Sequence, residues 1–193
     1  MIMLFITDID GTLTDGGYFS PSIPEYELTG LGGGARLNLP PELYFRKFNT
    51  KDFVGIKMLH DAGIKTVALT GSYQPSKPQF DRSAPYMIIA AGVQDKYEWV
   101  RSTYVDCSDR PDKYTWDEIA FIGDELNDIK LLDAVGLPGC PADAAREVLD
   151  LVKSKDDGCV MCNKGGELAV REFTDLIRVC AGIKASWCNW EEE

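Results

Sequence analysis

The sequence predicts an α/β domain in which a parallel sheet is covered on both faces by helices. Two observations lead there. Short apolar runs alternate with helix-patterned segments along the chain, and strands that alternate with helices must be joined by crossovers, which makes them parallel. Polar residues also gather where the apolar runs stop, at Asp8 and Asp10, at Thr70 and at Asp124. In open α/β sheets that carboxyl edge is where ligands bind.

Ile2 to Thr7 is a short apolar run ending in Asp-Ile-Asp-Gly, and it reads as a buried strand breaking into a loop. A proline-rich stretch with a Gly32-Gly33-Gly34 tract follows, between the aromatic patches Gly17-Tyr18-Phe19 and Leu43-Tyr44-Phe45. Those patches suit the arms of a hairpin or flap inserted over residues 17–48, with a disordered insertion as the alternative for its centre. Asn49 or Thr50 can cap a helix running to about Ala62, where Gly63 stops it. Lys65 to Leu69 is the next strand, followed by Thr70-Gly71-Ser72. Tyr86 to Ala90 reads as a strand, Asp95 to about Tyr104 as a helix, and Ile119 to Ile122 as a strand ending in Gly123-Asp124. Asn127 to Ala134 is helical, Pro141 opens a short helix at Ala142, and Glu167 to Ala181 forms an amphipathic closing helix. With no internal repeat and no second core-forming segment, residues 1–183 are expected to form one domain, and residues 184–193, ending in Glu191-Glu192-Glu193, a solvated tail.

Charge limits the partners. The formal net charge is -11 and no Lys/Arg run interrupts it, which disfavours nucleic acid. No segment approaches a membrane span, and the apolar start lacks the basic region of a signal peptide, so a cytoplasmic location with reduced cysteines is expected. Cys159 and Cys162 form an isolated C-x-x-C. A zinc site would need two further ligands, and the only histidine, His60, sits in a predicted helix far off in sequence, so ordinary thiols are the favoured reading.

The chemistry centres on Asp8-Ile9-Asp10-Gly11-Thr12. A carboxylate can attack phosphorus to form an acyl phosphate, and a second one nearby can protonate the departing oxygen and then activate water. Such a pair repels, so a divalent cation is the natural means of keeping both useful, and it lets an acidic protein accept an anionic substrate. Gly11 permits a sharp exit from the strand that turns backbone N–H groups toward a phosphoryl oxygen. Downstream, Thr70 can donate its hydroxyl to phosphate, Lys96 can neutralise the nucleophile and the phosphoryl charge, and Asp124 and Asp128 add hard oxygen ligands. Taken singly, Thr70 is as well explained as a helix cap, Lys96 as a surface residue, and Asp124 and Asp128 as helix-start acids. Their occurrence in order, each beyond a strand, favours a site.

This order resembles the haloacid dehalogenase superfamily: Asp8-x-Asp10-Gly11-Thr12, Thr70-Gly71, Lys96, then Gly123-Asp124-Glu125-x-Asn127-Asp128. More closely, it is similar to the capless subgroup of 3-deoxy-D-manno-octulosonate 8-phosphate and sialic-acid-type 9-phosphate phosphatases. That likeness runs through Asp10 to Gly16, Gly63-Ile64-Lys65, Gly92 to Lys96, Pro141 to Ala144 and Gly165 to Glu172. The resemblance implies a Rossmann-like fold with no large cap domain and a phosphatase acting on a sugar-acid phosphate. It implies Asp8, Asp10, Thr70 and Lys96 as catalytic residues and Mg2+ held by Asp8, Asp124 and the Asp10 carbonyl, with Asn127 and Asp128 behind them. It further implies phosphate or substrate contacts from Gly11, Thr12, Gly71, Ser72 and Arg171, and a homotetramer in which the hairpin closes a neighbour's site. Two positions depart from the pattern: Ser72 stands where the subgroup usually has arginine, and Gly165-Gly166 is followed by Glu167 and Leu168. Arg36, Arg46, Lys47, Arg82 and Arg171 are candidates for binding a substrate carboxylate. Two alternatives stay open, a phosphatase for another small phosphometabolite and a catalytically silent oligomerisation module related to a domain of sugar-acid cytidylyltransferases.

Overall fold

The computed structural model describes residues 1–17, 46–73, 77–107 and 113–183. The predicted hairpin arms, the glycine tract, Arg36 and the tail lie outside the described residues. Six strands, β1 (Leu4–Asp8), β2 (Lys65–Leu69), β3 (Ile88–Ala90), β4 (Ile119–Ile122), β5 (Leu137–Cys140) and β6 (Cys159–Val160), form one parallel sheet in the order β3-β2-β1-β4-β5-β6. This is the Rossmann-like α/β arrangement expected, and the chain order reverses beside β1.

Because both faces are covered, β1 is buried at every position, and its side chains divide between two cores by the two-residue period of a strand. Phe5 joins Phe53, Ile56 and Leu59 of α1 (Thr50–Asp61), Phe80 of α2 (Lys77–Ser83) and Phe173 of α6 (Ala169–Cys180). Leu4 and Ile6 face the other way, onto Val100 of α3 (Lys96–Val100), Leu131 and Leu132 of α4 (Ile129–Ala134), and Val148 and Val152 of α5 (Arg146–Ser154). The close fit of α1 on α6 depends on Gly55, where a Cβ would come 2.1 Å from Thr174 Oγ1. Register matters for the site. Thr7 pairs with Ala68 on one side and Ile122 on the other, so β1, β2 and β4 end level and bring Asp8, Thr70 and Gly123-Asp124 to one edge.

Several boundaries differ from expectation for physical reasons. The helix expected over Asp95 to Tyr104 is regular only to Val100; Arg101–Val105 then widens into a turn closed by the Asp106 N–H on the Arg101 carbonyl at 2.7 Å. No helix starts at Ala142: residues 141–144 make a turn, Ala145 is extended and donates its N–H to the Asp124 carbonyl at 2.8 Å, and α5 begins at Arg146. The last helix begins at Ala169 instead of Glu167 because Leu168 takes a left-handed φ of 82°. Thr14 and Phe48, on either side of residues 18–45, pair in an antiparallel bridge. Among the described residues, no helix is long and apolar enough to cross a membrane.

Candidate active site

The end of β1 turns sharply. Residues Ile9–Leu13 form one wide turn, closed by the Thr14 N–H donating to the Ile9 carbonyl at 2.9 Å, with Gly11 at a φ of 92°. A side chain at Gly11 would be strained and would also collide with Asp124, whose carboxylate occupies that space. The loop at Gly165-Gly166 lies equally close on the far side. A Cβ on Gly165 would be 1.8 Å from the Gly11 carbonyl oxygen, and the Gly166 N–H donates to the Thr12 carbonyl at 3.0 Å.

Asp8, at the tip of β1, is buried beside Lys96, whose side chain is 1% exposed. The Lys96 ammonium sits 2.7 Å from Asp8 Oδ1 and 2.5 Å from Asp128 Oδ1. Asp128 uses its other oxygen to accept the backbone N–H groups of Asp124 and Glu125 at 3.1 and 3.2 Å. Thr12 donates its hydroxyl to Asp124 Oδ1 at 2.7 Å. The result is a cluster in which Asp8, Asp124 and Asp128 each offer an oxygen within 4.8 Å of the others.

Such a cluster is short of positive charge. Burial pushes the Asp8 carboxyl well above its ordinary range; Lys96 opposes that, while Asp128 and Asp124 add to it. Burial likewise raises Asp124 to about 6, against the Thr12 hydrogen bond and with repulsion from Asp128. For Lys96, burial alone would weaken the ammonium, but Asp8 and Asp128 outweigh it and hold its pKa up. Three carboxylates around one ammonium leave room, in charge and in donor chemistry, for a hard divalent cation.

Asp10 stands apart from this cluster. Its carboxylate accepts from Arg46 Nε at 2.5 Å, from Arg46 Nη2 at 3.3 Å and from the Thr70 hydroxyl at 3.3 Å. Thr70 Oγ1 in turn accepts the Ser72 N–H at 3.0 Å, which fixes the Thr70-Gly71-Ser72 turn. One Asp of the motif therefore faces the metal-capable cluster and the other faces a guanidinium, a separation suited to a nucleophile and an acid/base partner.

The expected residues thus divide. Asp8, Lys96 and Asp124 come together, and Asp10 and Thr70 pair beside them. Asp128, expected behind the ligands, contributes an oxygen to the cluster itself. Thr12, expected on phosphate, is buried and donates its hydroxyl to Asp124. Asn127 is exposed on the short turn Leu126–Asp128. Arg171 commits its guanidinium to Asp175 at 2.7 Å and its N–H to Asp52 at 2.8 Å, on the seam of α1 and α6. Arg82 is exposed, and Lys47 lies 3.9 Å from Asp15. The Cys162 N–H, with the Asn163 N–H and side-chain amide, donates to Glu172. The pairing of Arg46 with Asp10 has no spacing signature; its only signal is a cation next to the first helix after the insertion.

No protein-family model matches the chain. Over 180 residues it is 28% identical to N-acylneuraminate cytidylyltransferase A of Danio rerio, a match covering 92% of this chain and 35% of that protein. The chain therefore spans about a third of that relative's length. It is also 28% identical, over 185 residues, to 3-deoxy-D-manno-octulosonate 8-phosphate phosphatase KdsC of Haemophilus influenzae, covering 94% of this chain and 85% of the relative. Among solved structures, one described as a probable YrbI-family phosphatase from Pseudomonas syringae superposes with a TM-score of 0.72 at 26% identity, covering 94% of this chain and 87% of that one. The cobalt-bound octulosonate 8-phosphate phosphatase (YrbI) of Haemophilus influenzae gives a TM-score of 0.66 at 26% identity, covering 94% and 90%.

Proposed function

We propose that this chain, which has the fold and the sequence relatives of the haloacid dehalogenase-superfamily phosphatases, hydrolyses a sugar-acid phosphomonoester through an aspartyl-phosphate on Asp8. The observation that carries the reading is the division of labour between the two motif carboxylates. Asp8 lies against Lys96 in the metal-capable cluster, while Asp10 is held outside it by Arg46 and Thr70.

In the first step an Asp8 oxygen attacks phosphorus, the bond from phosphorus to the sugar oxygen breaks, and Asp10 delivers a proton to that oxygen. Water then attacks the acyl phosphate, gives its proton to Asp10, and releases phosphate with Asp8 regenerated. Lys96 stays protonated throughout, held so by Asp8 and Asp128, and offsets charge on the nucleophile and the phosphoryl group. Magnesium held by Asp8, Asp124 and Asp128, with the Asp10 carbonyl, would neutralise the carboxylates and polarise the phosphoryl oxygens. A sugar-acid substrate such as an octulosonate 8-phosphate or a nonulosonate 9-phosphate is supported by the name of the Haemophilus influenzae relative and by the two sugar-acid families matched. The same reading carries a homotetramer in a reducing cytoplasm; Cys107, Cys140, Cys159, Cys162 and Cys180 are free thiols.

A second reading, a silent module that assembles another enzyme, draws on the cytidylyltransferase match. Phosphate release separates the two. Measured against sugar-acid phosphates and an aryl phosphate, with magnesium and with chelator, the chain should turn over only with metal, and Asp8→Asn should abolish turnover without loss of fold. Absence of phosphate release from the whole panel would favour the silent module, and full activity in Asp8→Asn would remove Asp8 as nucleophile.

A further inference from the structure

The Arg46 side chain is 3% exposed, although it lies at the rim of a site that must admit a substrate. A guanidinium that far from water requires a paired anion and satisfied N–H groups. Among the described residues it meets Asp10, with Nε on Oδ1 and Nη2 on Oδ2, while Nη2 also reaches the Ser72 hydroxyl at 3.2 Å. The fork fixes both oxygens of Asp10, and the Thr70 hydroxyl bears on Oδ2 from the other strand. Asp10 is 28% exposed, so its carboxylate is held in one orientation while remaining open to a reacting group.

The backbone that carries Arg46 is itself anchored. Phe48 bridges to Thr14 and packs its ring against Phe53 and Phe80, with centroids 5.7 and 5.5 Å away. A guanidinium on such a base is preorganised. Ser72 occupies the position after Thr70-Gly71 where the resemblance leads one to expect arginine. Here a guanidinium reaches that position from a different segment of the chain.

We infer that Arg46 is the positioning residue for Asp10: its fork aims the acid/base carboxylate at the oxygen that leaves and then at the incoming water. In this scheme all proton transfer passes through Asp10. The inference rests on the reading of Asp10 as acid/base, so its test measures Asp10→Asn beside Arg46→Met and Arg46→Lys. Two substrates are used with magnesium: an alkyl phosphate of the sugar class, whose leaving oxygen needs a proton, and p-nitrophenyl phosphate, whose leaving phenolate does not. Arg46→Met should lower kcat/KM for the alkyl phosphate about 100-fold and for p-nitrophenyl phosphate less than about tenfold, the scale of general-acid contributions. Arg46→Lys should recover part of the loss, since a point charge attracts Asp10 without the fork. In the Asp10→Asn background, Arg46→Met should change either rate by less than about threefold, because both changes disable the same unit.

Equal losses on both substrates, or a further large loss added to Asp10→Asn, would overturn the inference in favour of direct substrate binding or a folding role. Circular dichroism of Arg46→Met, with Arg46→Lys as the better-packed companion, separates those two. If Asp10→Asn itself shows no leaving-group dependence, or the unaltered chain releases no phosphate, the assignment of Asp10 falls and the role of Arg46 falls with it. If Asp10→Asn shows the dependence and Arg46→Met does not, only the role of Arg46 falls.

Discussion

Gly11 and Asp124 compete for one volume: a Cβ on residue 11 would stand 2.1 Å from Asp124 Oδ2. The nucleophile's turn and the loop after β4 can approach this closely only because residue 11 is glycine, and its φ of 92° requires glycine independently.

Gly11→Ala should therefore act through the metal more than through the fold. The backbone strain costs about 1–3 kcal/mol. Displacement of Asp124 from its Thr12 hydrogen bond should weaken magnesium binding about 10–100-fold, the usual effect of disturbing a ligand's support. Titration calorimetry with magnesium, together with the magnesium dependence of phosphate release, reads this directly.

Lys96→Met should destabilise the protein by about 3–5 kcal/mol, because it leaves Asp8 and Asp128 buried without their cation. The loss should shrink when magnesium is added. It should also shrink as pH falls, since the Asp8 carboxyl already sits well above its unfolded value and the fold gains by taking up a proton there. Urea unfolding with and without magnesium at two pH values tests both effects.

Asp52 offers a separate pH test. Its Oδ1 accepts the Arg171 N–H at 2.8 Å near the start of α6, while its Oδ2 is buried without a partner. Burial raises this carboxyl from 3.8 to about 6, even though the Arg171 N–H favours the charged form. A raised folded value means that the ionised form costs stability above pH 6 and nothing below pH 4. Asp52→Asn keeps the acceptor and removes the charge. It should be more stable than the parent by about 1 kcal/mol near pH 7.5, allowing for an unpaired amide N–H, with the gap closing toward pH 4.

Thr66, on β2, buries a hydroxyl with no hydrogen-bond partner. Thr66→Val preserves shape and strand preference and removes the unpaired group, so it should stabilise by about 1 kcal/mol. In a chain of this size that corresponds to roughly 2–4 °C in Tm, measurable by scanning calorimetry.

What was legible in the sequence tracks how local the signal is. Ile119 to Ile122 and Lys65 to Leu69 were readable as strands because each is a short run dominated by apolar residues, bounded by turn signals. The strand Leu137–Cys140 was missed because it contains Pro138 and Gly139, which argue for a turn when judged alone; only its place between β4 and β6 makes it a strand. The two-residue β6 has no sequence pattern to detect. At the site, the meeting of Asp8, Lys96 and Asp124 follows from their order, each beyond the end of a strand. The tie of Thr12 to Asp124 and of Arg46 to Asp10 depends on side-chain direction, which spacing does not encode. Arg171 differs: its partner Asp175 lies four residues on in the same helix, a pairing that spacing does encode.

The sequence separations in the site make its assembly a late event of folding, by expectation. Lys96 and Asp128 are 32 residues apart, and Thr12 and Asp124 are 112 apart. The sheet order places an inner strand first in the chain, so its neighbours β2 and β4 must both be delivered before Asp8, Lys96, Asp124 and Asp128 can assemble. Closing loops of this length is slow compared with forming helices, and within the cluster only Asp124 and Asp128 are joined by local contacts. During refolding from urea, circular dichroism of the helices should return first. Magnesium-dependent phosphate release should follow in a separate, slower phase, so that turnover serves as a clock for completion of the sheet.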